Sequence, residues 1–367
     1  MKVLRRLRSA AAARALCGAG TLQQAVDRLG FVQADPIRAP ARAQDLILRH
    51  RAHGYRAGDL ERHYPRLDVE EDYLYAYGFV SRPVWRLLHP RGAGKPGAFE
   101  RKVLDAVGAL GEAHPAALEA RLGGRRVANA WGGLSKATTQ ALDGLHYRGL
   151  LRVARREGGV RVFAPARPLP EPLSPELRMR RRVLALVNIL APVPLRQLRA
   201  MAARPLRRYF PGLGTAPGFL AGMIKDGELR AVKAGGEDYI VPPDCDMRAE
   251  PPRRVSFLAP FDPLVWDRPR FERFWGWAYR FEAYTPPARR VRGYYAMPLL
   301  WGDDVIGWAN ASVSEGRLRV ETGFAGPRPA GAVFKREFEA ETARLAAFLG
   351  VIDLRVSNRI SGGLDLR

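Results

Sequence analysis

Gly149-Leu-Leu-Arg-Val-Ala-Arg-Arg-Glu-Gly-Gly-Val-Arg-Val-Phe-Ala-Pro165 can be laid over Gly227-Glu-Leu-Arg-Ala-Val-Lys-Ala-Gly-Gly-Glu-Asp-Tyr-Ile-Val-Pro242. Both stretches read Gly-x-Leu-Arg, a short alternating strand, Gly-Gly, a second strand, and then Pro. Gly149 and Gly227 suit the left-handed position that closes a helix. The pairs Gly158-Gly159 and Gly235-Gly236 suit a tight hairpin turn.

The segments upstream of the two hairpins also correspond. Before the first, Phe99, Val103 and Val107 recur at four-residue spacing, which predicts a helix. A short helix follows near Pro115 to Leu122, then one capped by Ser135 and carrying Leu142 and Leu145. Before the second come a helix through Val183, Leu184 and Val187, a short one through Leu195, Leu198 and Met201, and one through Phe219, Leu220 and Met223. Three helices and a two-stranded wing make a winged helix-turn-helix, whose third helix enters a DNA groove while the wing touches the backbone. Winged helices also serve as protein-interaction modules. Arg125, Arg126, Lys136, Arg155 and Arg156 gather on the first copy and favour DNA.

Outward from this tandem, residues 1–98 read as a helical N-terminal unit. The start, MKVLRRLRSAAAARALCGAG, has the basic head and Ala-rich run of an export signal. Arg14 breaks that run, however, and Gln23, Gln24 and Val26 continue an amphipathic helix, so this is expected to be the first helix of the fold. Proline-rich stretches at 165–175 and 242–252 read as linkers. From 253 onward, Tyr294 to Trp301, Val305 to Val313 and Arg317 to Phe324 alternate as a β-meander, with a helix over about 331–349 and a last strand at Val351 to Val356. The expected class is α+β, divided into 1–98, 99–170, 175–250 and 253–367.

Charge narrows the partner. Sixty Lys and Arg against 37 Asp and Glu give +23, and only seven of the basic residues are Lys. A GC-rich genome explains the Arg-to-Lys ratio but not the excess over acids, so a polyanionic partner is expected. Cys17 and Cys245 lack a CxxC partner, which suits a reducing cytoplasm. No apolar run approaches the roughly 18 residues of a membrane span. There is no Walker loop, no GxGxxG after a strand, and no HExxH. His50, His53 and His63 lack a fourth ligand, so no zinc site is expected.

The segment Phe31-Val-Gln-Ala-Asp-Pro36 stands apart. Phe31 and Val32 suggest a strand entering the core, and Gln33 and Asp35, two apart, then share one face, roughly 7 Å apart along the backbone. A carboxylate beside an amide on a basic surface could orient and deprotonate a water or stabilise a developing sugar cation. On these residues alone the favoured reading is that Asp35 only caps a turn leading into the helix after Pro40.

Three stretches then resemble the winged-helix DNA glycosylases of the AlkZ/YcaQ-like superfamily. They are Leu29 to Asp35 with Arg42 and Arg51-Ala-His-Gly-Tyr55, Trp131 through Lys136 to Pro165, and Leu258 to Arg268 with Tyr279 to Pro286 and Arg289 to Pro298. The resemblance implies tandem winged helices forming a C-shaped, positively charged channel around duplex DNA. It also implies release of alkylated purines, including bulky N7 adducts and, in some branches, interstrand crosslinks. The family's Gln-x-Gln or Gln-x-Asp motif falls on Gln33 and Asp35, in the YcaQ-like variant. Asp35 would be the base or electrostatic stabiliser and Gln33 would hold the water. An N7-alkylated purine is already cationic and leaves readily, so no strong acid, metal or cofactor is required. The sequence departs from the YcaQ-like branch at Asp72 to Ser81, which has neither the Trp nor the His of a Tyr-Trp-x-His stretch. Gln44 also stands where a His is common.

Other residues are expected to meet DNA. Arg38 and Arg42 follow the motif, and Arg289, Arg290 and Arg292 beside Tyr294 and Tyr295 form a candidate probing element. Tyr73, Tyr75 and Tyr77 could stack on a displaced base or simply pack. Asp262, Trp266, Asp267 and Arg268 read as an internal hydrogen-bonded corner. No Lys adjoins Gln33 and Asp35 to form a Schiff base, so a monofunctional enzyme is expected. No dimerisation helix is evident, which favours a monomeric, nucleoid-associated cytoplasmic glycosylase over a non-catalytic winged-helix regulator or damage sensor. A weaker reading is an RNA-binding or scaffolding module.

Overall fold

A computed structural model describes residues 2–357 apart from 17, 19, 93, 129–131, 170–172 and 352; Cys17 and Trp131 therefore lie outside the described residues. The chain begins with α1 (Lys2–Leu16) and α2 (Leu22–Leu29), separate helices rather than one continuous amphipathic helix. Thr21 starts the second with a capping box: its side chain accepts the Gln24 N–H while the Gln24 side chain accepts the Thr21 N–H. Reciprocal capping satisfies two amides that a helix end otherwise leaves open. Then come β1 (Phe31–Gln33), α3 (Ala43–Leu48), α4 (Asp59–His63), β2 (Val69–Tyr73), β3 (Tyr77–Ser81) and α5 (Arg82–Leu88). The three strands form an antiparallel sheet in the order β1-β3-β2.

Both segments read as repeats hold three helices followed by a hairpin. The first has α6 (Ala98–Leu110), α7 (Pro115–Leu122), β4 (Arg126–Ala128), β5 (Leu134–Lys136), α8 (Ala137–Tyr147), β6 (Leu151–Glu157) and β7 (Val160–Pro165). The second has α9 (Pro175–Leu190), β8 (Val193–Pro194), α10 (Leu195–Tyr209), α11 (Ala216–Lys225), β9 (Arg230–Ala234) and β10 (Glu237–Val241). A further likeness was not visible in the sequence. In each repeat the third residue after the first helix pairs with the hairpin's second strand, Ala113 with Phe163 and Val193 with Ile240. Gly149 and Gly227 both have φ of 77°, and the two Gly-Gly pairs are left-handed throughout. That matches the turn a two-residue hairpin loop needs.

The repeats also differ: only the first has a strand pair, β4 and β5, before its third helix. Ser135 does not cap α8: it lies in β5, paired with Val127 of β4, and Lys136 occupies the cap without a side-chain bond. Backbone pairing with β4 holds Ser135 one residue short of the cap. Helix α10 is also longer than the short helix expected, running fifteen residues.

The remainder is β11 (Val255–Phe257), α12 (Pro263–Trp266), α13 (Arg268–Trp275), β12 (Met297–Trp301), β13 (Asp304–Ser314), β14 (Arg317–Phe324), α14 (Ala332–Leu349) and β15 (Asp353–Ser357). The sheet runs β11-β12-β13-β14-β15, antiparallel except for β15, which returns through α14 and pairs parallel with β14. Its first meander strand starts at Met297 rather than at Tyr294. Phe334, Phe338, Leu345 and Phe348 of α14 close the core over this sheet. Glu341, fully buried on α14, accepts the Phe257 N–H at 2.8 Å and pairs with Arg49 at 2.5 Å.

Three apolar cores cross the boundaries drawn from the sequence. One joins α2, α3 and the first repeat to the C-terminal sheet and α14. A second packs α1 against α13 and β10, far from the other N-terminal helices in sequence. A third joins the helices of the second repeat to Phe31, Val80 and Trp85. Burial of this kind contributes roughly 25 cal/mol per Å² of apolar surface, so each joint resists separation.

Candidate active site

Strand β1 delivers the motif. Phe31, Val32 and Gln33 pair with Val80, Phe79 and Gly78, and the Ala34 N–H extends the ladder to the Tyr77 carbonyl at 3.0 Å. Gly78, opposite Gln33, has no room for a side chain: a Cβ there would lie 2.3 Å from the Val32 carbonyl oxygen. Strand alternation puts Phe31 and Gln33 on one face, and Asp35 follows two residues on, past the end of the strand. Phe31 anchors that face by packing edge-on to Tyr75 at 4.7 Å.

Asp35 is half-buried. Its Oδ1 accepts the Ile37 N–H at 2.9 Å, and its own N–H donates to Gln44 Oε1 at 3.3 Å. The turn-capping role is therefore real, but it engages one carboxylate oxygen. Among the described residues no cation pairs with Asp35, and burial raises its pKa above the ordinary aspartate value. Gln33 Oε1 is buried without a hydrogen-bond donor, and the Tyr295 hydroxyl is buried without any partner. The Tyr295 phenol is pushed well up by burial and by the nearby Asp35 carboxylate. A carboxylate, an amide and a phenol with open hydrogen-bonding capacity make a site suited to holding water, because buried polar atoms carry a cost until satisfied. Tyr295 comes from a segment 260 positions away, so only the packed core of α3 and the C-terminal sheet brings it here.

A basic cluster flanks the motif. Burial first, then repulsion from Arg38 and Arg156, lowers the Arg42 pKa. Arg42 pairs with Glu61. Arg156 grips Glu71 through two bonds of 2.8 and 2.5 Å and donates to the Gly159 carbonyl at 2.8 Å. A Cβ on Gly159 would lie 3.7 Å from Arg42, so the β6–β7 turn reaches the segment that carries the motif.

The other expected cations divide into two groups. Arg38, Arg125, Arg126 and Arg289 are exposed and, among the described residues, in no ion pair. Lys136 pairs with Glu119 at 2.6 Å and Arg155 with Glu112 at 2.8 Å. Arg290 lies 4.9 Å over the exposed ring of Tyr294 and donates to the Thr285 carbonyl. Arg292 is turned inward: it donates to the Ala278 carbonyl at 2.6 Å, sits beside Glu282 and lies over Trp277 and Trp308. Its guanidinium braces the loop instead of facing solvent. Of the three tyrosines, Tyr75 packs between Phe31 and Trp266 and Tyr77 donates to Glu71, leaving Tyr73 open. The corner at Asp262 is internal, as read: Asp262 takes two bonds from Arg51, Asp267 caps α13, and Arg268 donates to backbone carbonyls. His50 is held against the Phe257 carbonyl at 2.9 Å. Among the described residues no three His, Cys, Asp or Glu side chains are grouped to hold a metal, and no helix is long and apolar enough to cross a membrane.

The family model described as DNA glycosylase AlkZ-like matches residues 26–348, and the chain belongs to that family of DNA glycosylases. Among solved structures it is similar to the Streptomyces sahachiroi DNA glycosylase AlkZ, with a TM-score of 0.62 and 15% sequence identity over 98% of this chain and 99% of that one. The mixed architecture is thus a shared fold. DNA is the substrate class, and hydrolysis of an N-glycosidic bond is the reaction class.

Proposed function

We propose that this protein releases N7-alkylated purines from duplex DNA, with Asp35 as the base or electrostatic stabiliser and Gln33 positioning the water. One observation carries the reading: Asp35 is a half-buried carboxylate with no cationic partner among the described residues, two positions along the chain from Gln33, whose buried Oε1 has no donor. A carboxylate already neutralised by an arginine would have little field left for a sugar cation; this one keeps its charge. The alkylated purine is itself cationic, so departure of the base needs no strong general acid. Asp35 then either stabilises the oxocarbenium-like sugar or takes a proton from water as the water attacks C1′.

Tandem winged helices form the DNA-binding frame in this reading, with α8 and α11 as groove helices and the β6–β7 and β9–β10 hairpins as wings. Support comes from the helix order, from the matching strand pairs, and from the net charge of +23. The protein acts as a monomer on double-stranded DNA, and it is monofunctional because none of its seven lysines adjoins the motif. Incubating it with a duplex containing N7-methyl-2′-deoxyguanosine should release free base and leave an abasic site that alkali, not the enzyme, cleaves. A second reading, DNA binding without a reaction, draws on the Asp35–Ile37 turn bond. Tight binding of the same duplex with no base released would select it.

A further inference from the structure

The two repeats face each other across a cleft of about 800 Å³ that shares no lining residue with the Gln33–Asp35 motif. Helix α8 supplies one wall through Tyr147, α10 the other through Arg204, and the β2–β3 hairpin tip enters with Tyr73. Arg182 of α9 also lines it and is the anomaly. It is only 7% exposed, its Nε has no acceptor, and among the described residues its side chain makes no hydrogen bond or ion pair. Burial, with repulsion from Arg91 and Arg178, outweighs the attraction of Tyr209 and Asp72 and lowers its pKa to about 10, so it remains a cation at neutral pH. Asp72 is bonded to Arg91 and His89 instead, and a buried charge that nothing bonds is costly and calls for a counter-ion. No lining residue can supply one: Asp143, the sole carboxylate lining the cleft among the described residues, pairs with Arg161 at 2.7 Å. Arg91, in turn, is paired with Asp72.

The rest of the cleft is aromatic. Tyr73 is 47% exposed and meets Tyr147 edge-on at 6.2 Å, while the Tyr147 hydroxyl is fixed by a 2.6 Å bond to the Tyr209 hydroxyl. Aromatic faces beside a cation suit a ligand that joins a flat ring to an anion. The volume lies within the range of small-molecule sites. We propose that this cleft binds a nucleotide, its phosphate on Arg182 and its base against Tyr73 and Tyr147. The nucleotide comes either from a strand displaced from the duplex, which rests on the DNA-glycosylase reading above, or from solution, which does not.

The full-length protein would be titrated with 2′-deoxyguanosine 5′-monophosphate, following tryptophan and tyrosine emission, with deoxyguanosine and inorganic phosphate in parallel. In a second arm, a duplex carrying 2-aminopurine reports unstacking by increased emission. Arg182→Met removes a charge that has no partner, so its melting temperature should not fall; Tyr73→Ala, at an exposed ring, is the second variant. The expected result is that Arg182→Met weakens mononucleotide binding about tenfold or more, towards that of deoxyguanosine, or abolishes the 2-aminopurine signal. The responding arm identifies the source. If neither arm responds to either substitution, the cleft is not a nucleotide site. Base release from alkylated duplex by the same preparations separates the two proposals: release that persists while both arms fail overturns only this one.

Discussion

Asp35 is held by a turn bond on one oxygen, and its charge acts on the buried Tyr295 phenol, whose hydroxyl has no partner among the described residues. Burial raises its pKa, so the ionised form used in the reaction is lost at a higher pH than for an exposed aspartate. Single-turnover base release should therefore fall as pH drops, with its midpoint above the usual aspartate range. A raised pKa contributes stability below the unfolded value and loses it as pH rises through the folded one. At pH 7 the charge is consequently a burden, and Asp35→Asn should melt no lower than wild type by calorimetry. The strand that carries Gln33 was legible in the sequence because its apolar entry at Phe31 and Val32 is local, whereas Asp35 lies past its end, in the turn to Ile37. Tyr295 was visible only as a neighbour of Tyr294, because its place beside Asp35 depends on long-range packing. The inward turn of Arg292 was hidden for the same reason, since Glu282 and the two tryptophans beneath it converge only in the folded chain.

The hairpins were the most readable elements, because left-handed Gly-Gly turns leave a clear trace in sequence. The β4–β5 hairpin left none: Leu134-Ser-Lys136 reads as a helix start, and pairing with Arg126–Ala128 overrides it. The break between α1 and α2 was likewise masked, since the amphipathic pattern resumes after Gly20 in a new direction. The repeats offer an internal comparison. Gly149 and Gly227 share the same φ, yet a Cβ at Gly149 would lie 2.3 Å from His89 Nδ1, whereas nothing lies within 4 Å of one at Gly227. Gly227→Ala should cost about 1–2 kcal/mol from the left-handed backbone alone. Gly149→Ala should cost measurably more in urea unfolding, because His89 is locked to Asp72 at 2.6 Å and cannot yield cheaply. Equal losses would mean the first repeat is not braced against α5 as described.

Across the whole molecule, the excess of Arg and Lys was the earliest sign of the partner, and the family match agrees with it. The sequence did not reveal that α1 packs on the C-terminal part or that the cores cross every linker, because neither contact leaves a local pattern. Arg125 and Arg126 are exposed and in no ion pair among the described residues. If both contact phosphates, Arg125→Gln with Arg126→Gln should reduce the slope of log affinity against log salt by about 2. The most direct test of the central claim compares Asp35→Asn with wild type, under single turnover with saturating protein, on an N7-methylguanine duplex. Binding by Asp35→Asn should be unchanged and base release slower by about a hundredfold or more. Equal rates of release would contradict the account at its root.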